Sequence, residues 1–440
     1  MERRRVVITG VGVVSALGLD KEQYFQGLMD GRIGVERIRS FEVSGFPSQV
    51  GAEILDFNFK KFVPKAYRKA GKLMSRDIEL AIAAADLALR DAALKTKGTC
   101  PDQQPNIDPT RCGVNIGAAS ICCDLVELAA AVEHGLEEGK FSYEKWGREG
   151  MEWLTPLWLL KYLPNMLGCH VSIIHDLQGP SNSITCAEVS GLLSIGEAYW
   201  TIARGKADLM VAGGGESKIN AMNLVRHSLL GRISTRYNDQ PQEACRPFDE
   251  AADGVVLGEG AGIVVLEDLE HARRREAPVY AEIKGFGVSS NLSANFITPE
   301  ADGKGITFAI QKALAQAQLS PEHIQLLIPH GEAVAKNDRA EAKAICNAFG
   351  GHAQDLAMLA TKSRIGNCGA GAGALDLATA AIALQKNKIP PNLNCPNPPP
   401  DYGLNMFHKK DQEIEIENAI SCCYTYGGQT AAMAVSKFDN

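Results

Sequence analysis

The chain lacks the sequence patterns of a metal site and of a disulfide framework. Its 440 residues include 12 cysteines and 9 histidines, but no two cysteines have C-x-x-C spacing and no H-E-x-x-H motif occurs. Two pairs of cysteines are adjacent in sequence, Cys122-Cys123 and Cys422-Cys423. Irregular placement of this kind is typical of free thiols in a reducing compartment. We therefore expect a cytoplasmic protein without a metal centre.

The chain also lacks a long apolar run and an excess of positive charge. Its apolar stretches are broken by glycine, proline or charged residues, so we expect no membrane-spanning helix. The first apolar stretch, 6–9, is too short for a secretory signal. With 52 acidic and 45 basic residues the formal net charge is −7. This charge argues against non-specific binding to nucleic acids.

What is present is the pattern of a layered α/β protein. Strand-like and helix-like segments alternate along the chain, which favours sheets covered by helices. A strand running into a glycine-rich turn occurs at 6–12 and again at 280–287, which indicates two halves of related layout. We expect an N-terminal half at 1–270, with an inserted helical cap at about 120–170, and a C-terminal half at 271–440.

A series of short motifs follows in a fixed order through the chain. In order they are Gly179-Pro180, 207–214, Arg246-Pro247-Phe248-Asp249, 258–262, His330-Gly331, Thr361-Lys362-Ser363 and Gly427-Gly428. This series resembles the elongating β-ketoacyl-[acyl-carrier-protein] synthases of the thiolase superfamily, and the resemblance covers nearly the whole chain. It implies an α/β thiolase fold with duplicated αβαβα halves in five layers. It also implies a dimer with active sites near the subunit interface.

The resemblance further implies a set of catalytic groups. A cysteine at a helix N-terminus accepts the acyl chain, and two histidines stabilise the enolate that forms as carbon dioxide leaves. A lysine and a glutamate support the histidines. Matched without gaps, these positions hold Glu188 for the cysteine, His330 and Asn367 for the histidines, Lys362 for the lysine and Glu259 for the glutamate.

Glu188 is the most consequential departure from the family pattern. A carboxylate is a poor acceptor of an acyl group from a thioester, so we expect no condensation through a covalent acyl-enzyme. Near a helix N-terminus its negative charge is favoured. Two interpretations stay open: an inert remnant paired with protonated His330, or a group that imitates the acylated state or acts as an acid or base. The change to Asn367 is milder, because an amide still donates a hydrogen bond.

Cys186 offers a third possibility, a displaced nucleophile in an ordinary synthase. It lies two residues before Glu188, and a strand rises about 3.3 Å per residue. Catalytic geometry tolerates much less than this displacement. The pattern therefore favours an inert thiol.

Two more departures from the family pattern concern the substrate pocket. The threonine-rich segment that contacts phosphopantetheine in the family is replaced from Glu332 onward, and Tyr426 replaces the phenylalanine that gates the acyl pocket. We expect Glu332, Tyr426 and Cys186 to line this pocket.

A cluster of basic residues could bind a partner protein. Three of them match the K-x-x-R-K spacing that, by the resemblance, binds acidic acyl carrier protein: Lys65, Arg68 and Lys69. The alternative is an ordinary solvated face.

Two function classes follow from the retained and the altered positions. The first is a non-condensing partner subunit like a chain-length factor, in a homodimer or in a heterodimer with an active ketosynthase. The second is an enzyme that acts on acyl- or malonyl-carrier protein as a decarboxylase, acyltransferase or hydrolase through Glu188 and His330. Neither class calls for a cofactor, since the phosphopantetheine of acyl carrier protein enters as the substrate arm.

Overall fold

The computed structural model describes residues 3–293, 295, 297–406 and 415–438. The strands are β1 (Val6–Ser15), β2 (Glu36–Arg37), β3 (Val50–Ala52), β4 (Cys112–Gly117), β5 (Leu136–Glu137), β6 (Lys140–Phe141), β7 (Ser181–Ile184), β8 (Leu209–Ser217), β9 (Leu257–Asp268), β10 (Ala281–Ser290), β11 (Leu326–Ile328), β12 (Ala357–Met358), β13 (Asn418–Tyr424) and β14 (Gln429–Ser436). The helices are α1 (Lys21–Met29), α2 (Arg76–Asp91), α3 (Leu125–His134), α4 (Tyr143–Arg148), α5 (Met166–His175), α6 (Ser190–Ala203), α7 (Ala221–Leu229), α8 (Leu269–Arg274), α9 (Lys304–Ala317), α10 (Ala335–Phe349), α11 (Lys362–Ile365) and α12 (Ala372–Lys386).

One continuous sheet joins the two halves of the chain. Its strand order is β12-β11-β13-β14-β10-β1-β9-β8-β4-β7. β1 pairs antiparallel with β10 on one side and with β9 on the other, so the first strand of each half lies beside the other. β1 and β9 are buried along their whole length. Strands that read as continuous apolar runs of this kind are covered on both faces.

Helices α6 and α12 form the centre of the molecule. Their apolar side chains pack into one cluster with residues of β1, β8, β13 and β14, and α12 is buried from Ala372 to Leu384. On the outside, α2 covers β1, β8 and β9, and α9 covers β10 and β14. The head of α6 therefore lies in the interior, close to the C-terminal ends of several strands.

The glycine-rich segments at 6–12 and 280–287 were predicted to be turns, but they do not turn the chain. β1 and β10 continue through them, and the glycines allow a helix to approach the sheet closely. A Cβ atom on Gly12 would lie 1.9 Å from the carbonyl oxygen of Ala84 in α2. A Cβ atom on Gly287 would lie 2.0 Å from that of Ala309 in α9. The two halves thus repeat the same contact, because only glycine leaves room for it.

The segment 120–170 forms several short helices, with the small hairpin β5–β6 between α3 and α4. That this segment is a cap inserted into the N-terminal half stays a prediction. Several of its large apolar side chains are exposed, among them Val126, Trp153 and Leu157. In the part of the chain that the structure describes, no helix is both long enough and apolar enough to cross a membrane.

Candidate active site

Glu188 lies buried at the head of helix α6. A single 3-10 turn, Ala187–Val189, leads directly into the helix. Ala187 has φ of 46°, a left-handed conformation that is strained for a residue with a Cβ atom. The turn directs the Glu188 side chain inward, where the residue is only 1% exposed. A carboxylate in such a place requires a cation or hydrogen-bond donors.

Lys218 supplies the cation for Glu188. Its Nζ atom lies 3.2 Å from Oε1 of Glu188, and the hydroxyl of Thr425 donates to Oε2 at 2.9 Å. Burial alone would raise the pKa of Glu188, but Lys218 and Arg232 hold it well below its usual range. The carboxylate is therefore ionised and neutralised within the protein. Its ion-pair partner is Lys218, whereas one of the two interpretations of the sequence paired it with His330.

His330 follows strand β11, and its backbone is fixed by a carboxylate. Oε1 and Oε2 of Glu341 accept hydrogen bonds from the backbone N–H groups of His330 and Gly331 at 2.7 and 2.8 Å. The ring packs against Tyr424, with the ring centres 4.4 Å apart. His330 is 1% exposed. His330 is therefore a buried histidine, and its role as a site residue stays a prediction.

Both ring nitrogens of His330 have polar neighbours. Nδ1 lies 3.4 Å from Sγ of Cys423 in strand β13, and Nε2 lies 3.7 Å from Oε2 of Glu332. The same sulfur lies 3.3 Å from the backbone carbonyl oxygen of Glu188. A thiol thus stands within contact distance of Glu188, although it comes from a different element.

Glu332 belongs to a second buried ion pair. Nη2 of Arg232 donates to its Oε2 at 2.7 Å, and the side-chain amide of Asn337 donates to Oε1. Burial alone would raise the pKa of Glu332, but Arg232 lowers it strongly. The Arg232 guanidinium also lies over the ring of half-buried Tyr426, 4.5 Å from its centre. The structure therefore places Glu332 beside His330, and Tyr426 against Arg232, the partner of Glu332.

Lys362 and Asn367 are buried within the same region of the C-terminal half. Nζ of Lys362 lies 3.0 Å from Oδ2 of Asp376, in an ion pair that is almost fully buried. Burial alone would lower the pKa of Lys362, but Asp376 raises it. Oδ1 of Asn367 accepts a hydrogen bond from the N–H of Gly369 at 2.9 Å. Its Nδ2 atom is buried without a hydrogen-bond partner among the described residues.

The structure places Glu259 in a different cluster. Its carboxylate binds the Arg76 guanidinium at 2.9 Å, the Ser217 hydroxyl at 2.9 Å and the backbone N–H of Ile54 at 2.7 Å. Over the described ranges its hydrogen bonds all go to this cluster, and none goes to His330. The resemblance implied that Glu259 supports the site histidines, but among the described contacts it does not touch His330.

Cys186 is half-buried and packs against the central apolar cluster. Its backbone N–H donates to the Ser190 hydroxyl at 2.8 Å, which fixes the entry into α6. Burial raises the pKa of its thiol. These contacts are those of a structural cysteine, and its role as a nucleophile stays a prediction.

Sequence reasoning missed Lys218, Arg232 and Cys423. A general signal was available for the two cations, because a buried acid at position 188 needs a positive partner. No spacing rule identified which of the 45 basic residues would provide it. Cys423 matched no motif, and only the pairing of β13 with its neighbours places it opposite His330.

The basic cluster lies on the surface. Lys65, Arg68 and Lys69 are exposed and lie in a 3-10 helix, Lys65–Leu73. Tyr67 anchors this helix, because its hydroxyl lies 2.7 Å from Nδ1 of His170 in α5. In the described part of the chain none of the three basic side chains has an ion-pair partner.

The family assignment rests on matches along the chain. Residues 3–272 match the model for the beta-ketoacyl synthase N-terminal domain, and residues 280–396 match the model for the C-terminal domain. The chain belongs to the beta-ketoacyl synthase family. The predicted layered α/β thiolase fold is thereby confirmed.

Relatives cover the whole length of this ketosynthase-family chain. It is 34% identical over 438 residues to the 3-oxoacyl-[acyl-carrier-protein] synthase 2 of Coxiella burnetii (strain RSA 493 / Nine Mile phase I), covering 99% of each chain. The ishigamide ketosynthase/chain length factor is similar in structure, with a TM-score of 0.82 and 26% identity over 99% of this chain and 100% of that one. A type II polyketide synthase acyl-carrier protein in complex with its ketosynthase gives a TM-score of 0.81 and 26% identity at the same coverage.

Proposed function

We propose that this ketosynthase-family protein is a non-condensing partner subunit of a fatty-acid or polyketide synthase, like a chain-length factor. The observation that carries the proposal is the Glu188–Lys218 ion pair at the head of α6. Condensation in this family needs a thiol at that position to hold the growing acyl chain. Here the position holds a carboxylate whose charge is already neutralised, so it is a poor nucleophile and a weak base.

An exposed edge and an apolar surface support association with a second subunit. Strand β7 ends the sheet, with Ser181 and Asn182 exposed and with β4 as its partner in the described sheet. An unpaired strand edge is a template for pairing with another chain. The exposed apolar residues of the cap, Val126, Trp153 and Leu157, are typical of a surface that another protein covers. The subunit partner is a second copy of this chain or an active ketosynthase.

The exposed basic face at Lys65, Arg68 and Lys69 supports docking of an acidic carrier protein. Charged side chains without ion-pair partners steer a partner of opposite charge and raise its association rate. The solved complex of a carrier protein with its ketosynthase provides a structural precedent for such an assembly. The phosphopantetheine arm of the carrier would then reach the site region.

Reconstitution tests the partner-subunit function. The purified protein alone, given acyl- and malonyl-carrier protein, is expected to form no β-ketoacyl product. Co-expression with an intact ketosynthase from the same organism is expected to give a stable complex with a changed product length. Product formation by the protein alone, measured by mass spectrometry of the carrier, would refute the proposal.

Charge reversal tests carrier docking. The triple variant Lys65→Glu, Arg68→Glu, Lys69→Glu is expected to weaken carrier binding at least tenfold, with the loss reduced at high salt. Lys343→Glu is the matched control, since Lys343 is an exposed lysine on α10. Equal binding by both variants, measured by surface plasmon resonance, would rule out this surface.

A second candidate function is the cleavage or transfer of acyl or malonyl thioesters at His330. The observation that favours it is the pair of polar neighbours of His330, the Cys423 thiol and the Glu332 carboxylate. The burial of Glu188 in an ion pair argues that Glu188 is not the base of such a reaction. Release of free thiol from a thioester, lost in His330→Ala, is the expected result. Unchanged release in that variant would exclude this function.

A further inference from the structure

Cys423, His330 and Glu332 form a line of three groups in the interior. Sγ of Cys423 lies 3.4 Å from Nδ1 of the imidazole, and Oε2 of Glu332 lies 3.7 Å from Nε2 on the opposite side of the ring. A nucleophile, a base and a group that orients the base are the parts of a catalytic triad, which is recognised by geometry and not by sequence position. Contacts of this length are typical of such a site before substrate binds.

We propose that Cys423 is an acyl acceptor, activated by His330 and oriented through Glu332, and that its substrate class is an acyl thioester. The inference rests on the second candidate function, turnover of thioesters at His330, and is independent of the partner-subunit role. It relocates the thiol of the site from the head of α6 to strand β13. The sulfur is 3.3 Å from the carbonyl oxygen of Glu188, so the displacement in space is small.

The polar neighbours of His330 favour the tautomer that the reaction needs. The Cys423 thiol has two acceptors within reach of its one proton, the Glu188 carbonyl oxygen at 3.3 Å and Nδ1 of His330 at 3.4 Å, and the reaction uses the second. Nε2 faces the Glu332 carboxylate, which only accepts a proton. A neutral ring with its proton on Nε2 satisfies both neighbours. Arg232 and Asn337 keep Glu332 ionised and fixed in place. When His330 takes up a second proton, the negative charge of Glu332 stabilises the resulting imidazolium.

The chemical step balances without any further reagent. Sγ of Cys423 forms a bond to the carbonyl carbon of the thioester, while its proton moves to Nδ1 of His330. The carbon–sulfur bond of the substrate then breaks, and the leaving thiolate takes the proton from His330. The products are an acyl-Cys423 thioester and a free thiol. Water or an acceptor thiol releases the acyl group in a second step of the same kind.

Burial makes this thiol dependent on its base and on a movement of the chain. Cys423 is fully buried, and burial raises the pKa of its thiol well above the ordinary value. The resting group is therefore a neutral thiol, which reacts only as His330 removes the proton. The turn that follows β13 is the part of the chain next to Cys423 that reaches the surface: Gly427 is exposed, and Thr425, Tyr426 and Gly428 line a small cavity there.

Trapping of the acyl group tests the inference on the full-length protein. The probe is the hexanoyl thioester of N-acetylcysteamine, which is small and needs no carrier docking. Intact mass spectrometry is expected to show one added hexanoyl group, and peptide mapping is expected to place it on Cys423. Cys423→Ser and Cys423→Ala are expected to lose at least nine tenths of this labelling. Cys169→Ser, which removes a half-exposed thiol of α5, is the matched control and is expected to label like the parent protein.

The position of Glu332 has its own readout. In Glu332→Gln the rate of labelling is expected to fall, and the acidic limb of its pH profile is expected to move to lower pH. The physical reason is that the imidazolium loses its counter-ion. A variant that is only less stable would lose labelling without a shift of the profile. Thermal melting of every variant controls for folding.

The outcomes separate this inference from the function on which it rests. Labelling of Cys186 or of another cysteine in the parent, or equal labelling in Cys423→Ala, would overturn the role of Cys423. Thiol release that survives in Cys423→Ala but is lost in His330→Ala would leave thioester turnover standing without Cys423. Absence of both labelling and thiol release in the parent would overturn the inference and the second candidate function together.

Discussion

The Glu188–Lys218 pair makes a quantitative prediction about stability. Substituting Lys218 by methionine keeps an unbranched side chain, one atom shorter, and removes its charge. The buried Glu188 carboxylate is then left without its nearest cation. Breaking a buried ion pair from one side costs about 3–5 kcal/mol. Thr425 still donates to Glu188, and Arg232 still contributes positive charge, so the loss is expected near 3 kcal/mol, the lower end of that range.

The opposite substitution is expected to cost less. In Glu188→Gln, Lys218 keeps a second acidic neighbour, because Oε1 of Glu216 lies 3.8 Å from its Nζ atom. We expect a loss of about 1–2 kcal/mol from the changed hydrogen bonding. The double variant replaces the pair by neutral groups of similar size, a change that is often nearly neutral. It is therefore expected to be more stable than Lys218→Met alone.

Thermal unfolding measures these differences. For 440 residues the entropy of unfolding is roughly 0.9 kcal/mol per kelvin, so a loss of 3 kcal/mol lowers Tm by about 3 °C. In Lys218→Met the pKa of Glu188 rises, since burial is no longer opposed by its nearest cation. Protonation then relieves the buried charge, and the deficit relative to the parent is expected to shrink between pH 8 and pH 5. A double variant no more stable than Lys218→Met would refute the reasoning.

Three further predictions concern other buried groups. His175 is buried beside Thr96, and its burial, together with the charge of Arg90, lowers its pKa to about 3. The folded protein therefore holds this histidine neutral, and the protein loses stability as the pH falls below about 6.5, where the unfolded chain takes up the proton. His175→Asn is therefore expected to flatten the fall of Tm with pH below 6.5, and an unchanged slope would contradict this. Asp376→Asn leaves Lys362 buried without its counter-ion, so the free energy of unfolding, measured with denaturant, is expected to fall by about 3 kcal/mol. Asp355 is exposed, and the control Asp355→Asn is expected to leave that free energy almost unchanged. Gly331 has φ of 44°, and a Cβ atom there would lie 2.9 Å from the Phe248 ring. Gly331→Ala is therefore expected to lower the free energy of unfolding by about 1–2 kcal/mol. A variant as stable as the parent would contradict this.

The fold was accessible from the sequence because its signals are local and repeated. The apolar residues Ile78, Ile82, Ala85 and Leu89 recur at helical spacing, and the structure has the helix α2, Arg76–Asp91, over them. Gly12 and Gly287 were found as equivalent positions of two halves. The prediction that these glycines form turns was wrong. Their close contact with Ala84 and Ala309 becomes visible only once the helices are packed on the sheet.

The candidate site was accessible only in part. Motif order placed Glu188 at the head of a helix and His330 after a strand, and the structure agrees with both positions. One of the two open interpretations paired these residues, whereas the structure pairs Glu188 with Lys218, because charge alone does not say which cation is nearest. The motif around Glu259 was read as part of the site, but its carboxylate binds Arg76.

The sequence by itself determined the family and the layered fold, and it placed an acidic residue, Glu188, at the head of a helix. Tertiary structure alone decided what surrounds that position. Glu188 meets Lys218 across 30 residues and Thr425 across 237, while Cys423 meets His330 across 93. Backbone propensity and periodicity act within a few residues, whereas a buried charge is satisfied by whichever partners the packed sheet and helices bring to it.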